Sequence, residues 1–347
     1  MGSRAELAPA LTDSPRSGFL PDRIIHLHPT RLCNLACVHC YSASGPDQRG
    51  ALDPAAVNRA LEVLRDEGYE AVSLSGGEPL VYRDVGLVVR SAKALGFRVT
   101  MITNGLLVNA RTAPMLAELD GMAISFDGLA ETHDVIRARR GAFDRACAAL
   151  RRLAGDELPV AAAISVTPSA IPELPDLAYH LAELGAQALQ IRPVARAGRA
   201  KTMAPSAFGS TADRARLFLV AGALGQELAP DVRVHCDLAP TQGLWRERDA
   251  YAALLARCDA GAAPLPLAEL VNPLVITEDG RLKPIAYDFD ARFDIATVDG
   301  LSGERLRRYK DGPLARFREL VGGAVVSLAD QQELVDWFDY CTRLSEA

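Results

Sequence analysis

Two hydrophobic patterns alternate along the chain. Short runs rich in β-branched and other apolar residues occupy Ile24–His28, Glu70–Ser75, Phe97–Ile102, Met122–Phe126, Val160–Val166 and Gln187–Ile191. Their length and composition predict strands. Between them, Pro54–Gly68, Arg83–Gly96, Ala110–Leu119, Ala142–Gly155 and Ile171–Gly185 carry longer patterns of helical type. Asp53-Pro54 supplies a helix start, and Gly68, Gly96 and Gly185 supply stops. Strand then helix, repeated, predicts a parallel sheet, either open and doubly wound or closed into a full or partial barrel. Both place chemistry beyond the carboxyl ends of the strands, so functional motifs are expected there.

The pattern weakens at both ends. Residues 1–21 mix Ala, Ser, Pro and Gly without a sustained period and are expected to form a flexible N-terminal arm. Ala195–Ala212, rich in Arg, Gly, Ser and Ala, is expected to be a linker. A helix over Asp213–Leu228 and a less regular region follow, so a domain boundary is placed near Gly198. No fixed-period repeat is visible.

The 347 residues suffice for one large α/β domain and a smaller one. Lys and Arg total 38 against 44 Asp and Glu, a net charge of −6. Without a long basic run, this excludes a phosphate-tracking nucleic-acid binder. No stretch reaches the roughly 18 uninterrupted apolar residues of a spanning helix, and no signal pattern opens the chain, so a cytoplasmic location without a membrane partner is expected. In a reducing compartment the seven cysteines point to metal ligands, catalytic groups or small core residues before disulfides.

Their spacing is informative. Directly after the first predicted strand, Cys33, Cys37 and Cys40 are separated by three and then two residues. A loop this tight aims three sulfurs at one soft metal centre. Spacing alone leaves two readings open: a 4Fe-4S cube with one iron free of protein ligands, or a structural zinc with a fourth ligand elsewhere.

The later motifs favour the first. Ser75-Gly76-Gly77-Glu78-Pro79, Thr103-Asn104-Gly105 and Ser125-Phe126-Asp127-Gly128 follow the second, third and fourth strands. With the cysteine triplet, these resemble the radical S-adenosylmethionine superfamily, whose cluster loop has the same CxxxCxxC form. The resemblance covers Ile24–Ile191, about half the chain, and implies a partial (β/α)6 TIM-like barrel. It further implies that Cys33, Cys37 and Cys40 bind one 4Fe-4S cluster whose open iron takes S-adenosylmethionine. Gly76, Gly77 and Glu78 are then expected to hold the methionine amino group, and Ser125 and Asp127 its carboxylate or the ribose. Paired glycines suit such a loop because no Cβ keeps a ligand from the main chain.

Asn104 belongs to the same expected cofactor set. So does Arg137, in a His133-Asp134-x-x-Arg stretch that resembles the family's and would suit the methionine carboxylate, with a surface role as its competitor. Ser165 on the fifth strand is a further expected cofactor contact. His39 is expected to pack near the adenine instead of ligating iron. Arg192 and Tyr41 are candidates for the substrate side, with packing of the cysteine loop as the competing and favoured use of Tyr41, and Cys147, among alanines on a helix, is expected in the core.

Toward the C-terminus, Leu274–Ile285 resembles the hairpin of SPASM or twitch extensions, with Asp279-Gly280 as its turn. Where that pattern wants cysteine the chain has Ile285. Residues 22–198 are therefore expected to form the barrel, and residues 199–347 a smaller, degenerate α+β SPASM/twitch-like domain without an auxiliary cluster. Convergence of Cys236, Cys258 and Cys341 on a second cluster is the exception to test by iron counting. The apolar and aromatic cluster of Leu334, Trp337, Phe338, Tyr340 and Cys341 is expected to pack a C-terminal helix, with a substrate-covering lid as the alternative.

The resemblance implies reductive cleavage of S-adenosylmethionine to a 5′-deoxyadenosyl radical that abstracts hydrogen from a substrate carbon. Maturation of a ribosomally made peptide is the leading expectation. Tailoring of a small sugar or aminocyclitol is the alternative, and a non-catalytic metal-binding scaffold the alternative of another class. Expected partners are an external electron donor such as flavodoxin or ferredoxin and, without a recognisable peptide-binding module, a separate peptide-recognition protein.

Overall fold

The computed structural model describes residues 23–156, 158–246, 248, 265–328 and 333–347. The expected N-terminal arm and Cys258 lie outside the described residues. Six parallel strands pair in chain order: β1 (Ile24–Leu27), β2 (Ala71–Leu74), β3 (Arg98–Thr103), β4 (Gly121–Phe126), β5 (Val160–Val166) and β6 (Ala188–Pro193). They coincide with the six expected strands to within one or two residues at each end.

The intervening helices are α1 (Pro54–Asp66), α2 (Val85–Ala94), α3 (Ala113–Leu116), α4 (Ala130–Ile136), α5 (Ala142–Gly155) and α6 (Leu174–Glu183). Asp53 caps α1 by accepting from the Ala55 and Ala56 N–H groups, with Pro54 in the first turn. On α5, Ala142, Phe143, Ala146, Cys147, Ala149, Leu150 and Leu153 are buried, the spacing that lays one helical face on a sheet. Cys147 is thus a core residue. The helix expected over Ala110–Leu119 shrinks to the single turn α3. Asn109 and Thr112 satisfy the neighbouring backbone with their side chains, which competes with helix propagation.

Two additions extend the sheet beyond these six strands. After α7 (Thr211–Glu227), β7 (Arg233–Cys236) joins parallel to β6, and on the opposite edge β9 (Leu274–Ile276) joins parallel to β1. Between them in sequence lie β8 (Leu238–Pro240), α8 (Thr241–Arg246) and α9 (Leu267–Leu270). Strands β10 (Arg281–Pro284) and β11 (Ala296–Thr297) continue antiparallel outward from β9. The C-terminal hairpin is therefore part of the same sheet as the six expected strands. Its attachment is well bonded: the Ile24 N–H donates to the Asn272 side chain at 3.0 Å, the His28 N–H to the Ile276 carbonyl at 2.8 Å and the Tyr69 hydroxyl to the Val271 carbonyl at 2.6 Å.

The region read as a linker is ordered. It holds two 3-10 turns, Gly198–Thr202 and Pro205–Phe208, and Ala200 is fully buried. Helices α10 (Gly303–Asp311), α11 (Leu314–Ser327) and α12 (Trp337–Ser345) complete the chain, with β12 (Leu334–Asp336) pairing to β8. Cys341 is fully buried on α12.

Candidate functional site

Strands β1–β7 surround a cavity of about 990 Å³ that runs from residues near their amino ends, such as Ile24, Met122 and Ala188, to the loops beyond their carboxyl ends. Its wall brings together Cys33, Cys37, Cys40, His39, Tyr41, Gly76, Gly77, Glu78, Asn104, Ser125, Arg137, Ser165 and Arg192. These come from six different strand ends, and of the expected site residues Asp127 alone is missing from the lining.

The cysteine loop follows β1 without regular structure and is held by its own backbone. Cys33 N–H donates to the Gly45 carbonyl, Gly45 N–H to that of Arg31, and Cys40 N–H to that of Cys37, at 3.2, 3.2 and 3.3 Å. Cys33 and Cys37 are buried together with Leu35, and Cys40 and Leu106 pack against them. Burial pushes the Cys33 thiol up to about 12 and also raises that of Cys37, which Arg137 partly offsets. Thiolates in this setting need a cationic centre as counter-charge. No three His, Cys, Asp or Glu side chains among the described residues gather as ligands of one metal ion. Three thiols along one loop suit a cluster whose corners are separate irons.

Glycine shapes the next loop for a reason the sequence did not show. A Cβ on Gly77 would stand 2.2 Å from the Leu32 carbonyl oxygen, and one on Gly76, at φ +97°, would stand 2.8 Å from the Cβ of His28. The space these glycines leave is occupied by the cysteine loop and the end of β1. Gly77 N–H and Glu78 N–H donate to the carbonyls of Thr30 and Leu32 at 2.9 and 3.0 Å, stitching the two loops together. The Glu78 carboxylate is buried and accepts from the Thr103 hydroxyl at 2.7 Å, the Asn104 N–H at 2.9 Å and the Leu80 N–H at 3.1 Å. Burial nevertheless raises its pKa, so a ligand ammonium would find an anion short of counter-charge. The Asn104 amide reaches Asn34 at 2.8 Å.

Asp127 lies behind the wall, fully buried. It accepts from Arg137 through Nε at 2.5 Å and Nη2 at 3.2 Å, and contacts His39 Nε2 at 2.7 Å. Burial works to raise its pKa, but Arg137 and then His39 outweigh that and hold it far below the usual carboxylate range. Asp127 thus stands where it orients the two side chains that do reach the cavity. Arg137 is 8 % exposed, so the surface role weighed for it is ruled out. His39 is hydrogen-bonded to a carboxylate behind the wall.

On the far side, Ser125 and Ser165 are half-buried on β4 and β5. Arg192, at the end of β6, has its Nε 3.2 Å from Asp237, which also meets His235 at 3.3 Å. Burial would raise the Asp237 pKa, but Arg192 leads the groups that lower it below the ordinary value. Tyr41 packs edge-on to His28 and Tyr287, and His28 stacks on Tyr287 with ring centroids 5.0 Å apart. His28, Tyr287 and Asp237 were not anticipated. The first carries no motif, and the other two reach the cavity through long-range strand pairing.

The lining also has spare hydrogen-bonding capacity. Ser73 Oγ, Thr100 Oγ1 and the Nδ1 atoms of His28 and His39 are buried without a protein partner, and all four residues face the cavity. Orphaned polar atoms on a concave wall are what a polar, multi-ring ligand such as a nucleoside would satisfy. The thiol set, the charge-deficient Glu78 and these orphans fit a cluster with S-adenosylmethionine.

Comparison with known proteins bears on this geometry. A family model described as "Radical SAM superfamily" matches residues 27–184. The chain is 32 % identical over 208 residues to a pre-heme d1 synthase of Dinoroseobacter shibae, covering 59 % of this chain and 52 % of that protein. It is 28 % identical over 176 residues to the antilisterial bacteriocin subtilosin biosynthesis protein AlbA of Bacillus subtilis, covering 50 % and 39 %. The chain thus spans about half the length, or less, of the curated relatives it matches. The fold is similar to that of Streptococcus suis SuiB bound to S-adenosylmethionine, with a TM-score of 0.63 at 14 % identity over 86 % of this chain and 68 % of SuiB. No helix among the described residues is long and apolar enough to cross a membrane.

Proposed function

We propose, on the premise of the radical SAM superfamily model that matches residues 27–184, that the chain binds one 4Fe-4S cluster through Cys33, Cys37 and Cys40 and uses S-adenosylmethionine to activate a substrate carbon–hydrogen bond. The observation that carries this reading is the single cavity wall shared by the three thiols, Glu78, Asn104, Ser125, Arg137 and Ser165. When bound, the cluster and S-adenosylmethionine supply the one-electron chemistry that allows a hydrogen atom to be taken from carbon.

The protein's own residues position and shield. Glu78, fixed by Thr103 and Asn104, would receive the ligand's amino group. The Arg137 guanidinium, fixed by Asp127, would face its carboxylate. Ser73, Thr100 and His28 would satisfy remaining polar atoms. Arg192, held through its Nε by Asp237, stands on the substrate side. Water exclusion falls to the strand-lined wall, which keeps a reactive carbon away from solvent.

The substrate we propose is a ribosomally made peptide, supported by the likeness to AlbA and by a further relative, 34 % identical over 173 residues, the mycofactocin maturase MftC of Mycobacterium tuberculosis. The pre-heme d1 synthase match favours a second reading, a tetrapyrrole. An external one-electron donor completes the scheme, and we propose no auxiliary cluster.

Anaerobic reconstitution with iron and sulfide tests the assignment. The protein should take up about four irons, turn brown, and release 5′-deoxyadenosine from S-adenosylmethionine under a strong reductant. Cys33→Ala should lose both colour and cleavage, and retention of either refutes the ligand set.

A further inference from the structure

Loop 37–44 contains two of the three proposed ligands and no regular structure of its own, so something must set its span. We infer that Arg199, admitted by Gly198, is a positioning residue that clamps this loop from outside the cavity; the inference rests on the cluster assignment above. Arg199 Nη1 donates to the Cys37 carbonyl at 2.5 Å, its Nη2 to the Ser44 carbonyl at 2.6 Å and its backbone N–H to the Cys40 carbonyl at 2.8 Å. One planar fork therefore bridges two points seven residues apart, while the main chain holds a third between them. A lysine, with its single point charge, cannot span both carbonyls in this way.

The approach is possible because residue 198 is glycine. At φ +52°, a Cβ there would fall 2.1 Å from the Tyr41 carbonyl oxygen and 2.5 Å from that of Cys40. The turn is anchored on its other side to the C-terminal elements. Gly198 N–H donates to Asp288 at 3.3 Å, and Lys201 lies 3.5 Å from Asp288 and 3.6 Å from Glu346. The clamp thus couples the seating of residues 288 and 346 to the spacing of Cys37 and Cys40. It touches no proposed ligand sulfur and acts through their carbonyls.

The test uses the full chain with Arg199→Ala, Arg199→Gln, Arg199→Lys and Gly198→Ala. In metal-free protein, maleimide labelling read by mass spectrometry should modify Cys37 and Cys40 at least about tenfold faster in Arg199→Ala, the change expected from losing even one of the two charge-assisted hydrogen bonds. Cys147 and Cys341, buried elsewhere, should label at the wild-type rate, which separates a loosened loop from general unfolding. In reconstituted protein, iron loss to a chelator should accelerate by a similar factor, and the electron paramagnetic resonance signal of the reduced cluster should broaden. Arg199→Lys should recover part of both effects and added methylguanidine should partly rescue Arg199→Ala. Labelling of Cys37 and Cys40 within about twofold of wild type in Arg199→Ala overturns the inference. Should that variant prove insoluble, the same threshold applies to Arg199→Gln and Gly198→Ala. If the wild type takes up no iron, the cluster assignment fails while the labelling experiment still decides the clamp.

Discussion

Replacing Asp127 probes the network that aims Arg137 into the cavity. The carboxylate is fully buried and accepts two hydrogen bonds from Arg137 and contacts His39, so its removal strands a guanidinium that is itself 8 % exposed. Breaking a buried pair in this way costs about 3–5 kcal/mol. Asp127→Ala should approach the upper figure, whereas Asp127→Asn keeps one acceptor and the side-chain volume and should fall near the lower. Urea denaturation of metal-free protein measures both. Asp127→Ala/Arg137→Met should be less destabilised than the sum of the singles by more than about 1 kcal/mol, because the stranded charge is gone. The pH dependence has a definite sign. The folded pKa of Asp127 is depressed, so its stabilisation is present above the unfolded value of about 3.9 and is lost as pH falls toward the folded pKa. The gap between wild type and Asp127→Asn should therefore be full at pH 7 and shrink only in strongly acid solution. A loss below about 1 kcal/mol at pH 7 would refute the argument that this pair is desolvated and bound.

Gly77→Ala places a methyl group 2.2 Å from the Leu32 carbonyl oxygen, so the two loops must separate; destabilisation of at least about 2 kcal/mol and a fall in iron uptake are expected, and unchanged uptake would count against loop packing as the role of this glycine. Leu150→Ala empties a fully buried site on α5 and should cost about 2–5 kcal/mol in the same assay, without altering the labelling of Cys37 and Cys40. Burial, followed by repulsion from Asp237, pushes Asp336 up to about 6, so its stabilisation is greatest at low pH and is lost as pH rises through that value. An asparagine in its place would keep the cap bonds to the Phe338 and Asp339 N–H groups, so Asp336→Asn should gain on wild type between pH 4 and 7. Equal melting-temperature differences at both pH values would show that the carboxyl does not titrate there.

Strand and helix placement were legible wherever one element could be specified by its own residues. β5 and α5 fall on the expected ranges because an apolar run and a 3.6-residue stripe are local signals, and Asp53-Pro54 starts α1 because a cap acts over three residues. The cysteine spacing was legible for the same reason. The glycine pair at 76 and 77 was recognisable as a motif, but its partner across the gap was not, since Leu32 and His28 approach it through strand pairing. Ala195–Ala212 lacked apolar period and looked like a tether; its order comes from Arg199 bonding carbonyls 155 and 162 residues away in sequence.

The amino-acid order by itself therefore determined the β/α alternation, the thiol-bearing loop after β1 and the motifs at the next three strand ends, because each is written in neighbouring residues. Tertiary structure alone decided that β7 and β9 would extend the sheet on opposite edges, that Asp127 would withdraw behind Arg137 and His39, and that Arg199 would return to the cysteine loop. Those choices depend on which buried charges and backbone groups find partners once distant segments are brought together, and a buried polar group left without a partner costs too much for the fold to ignore.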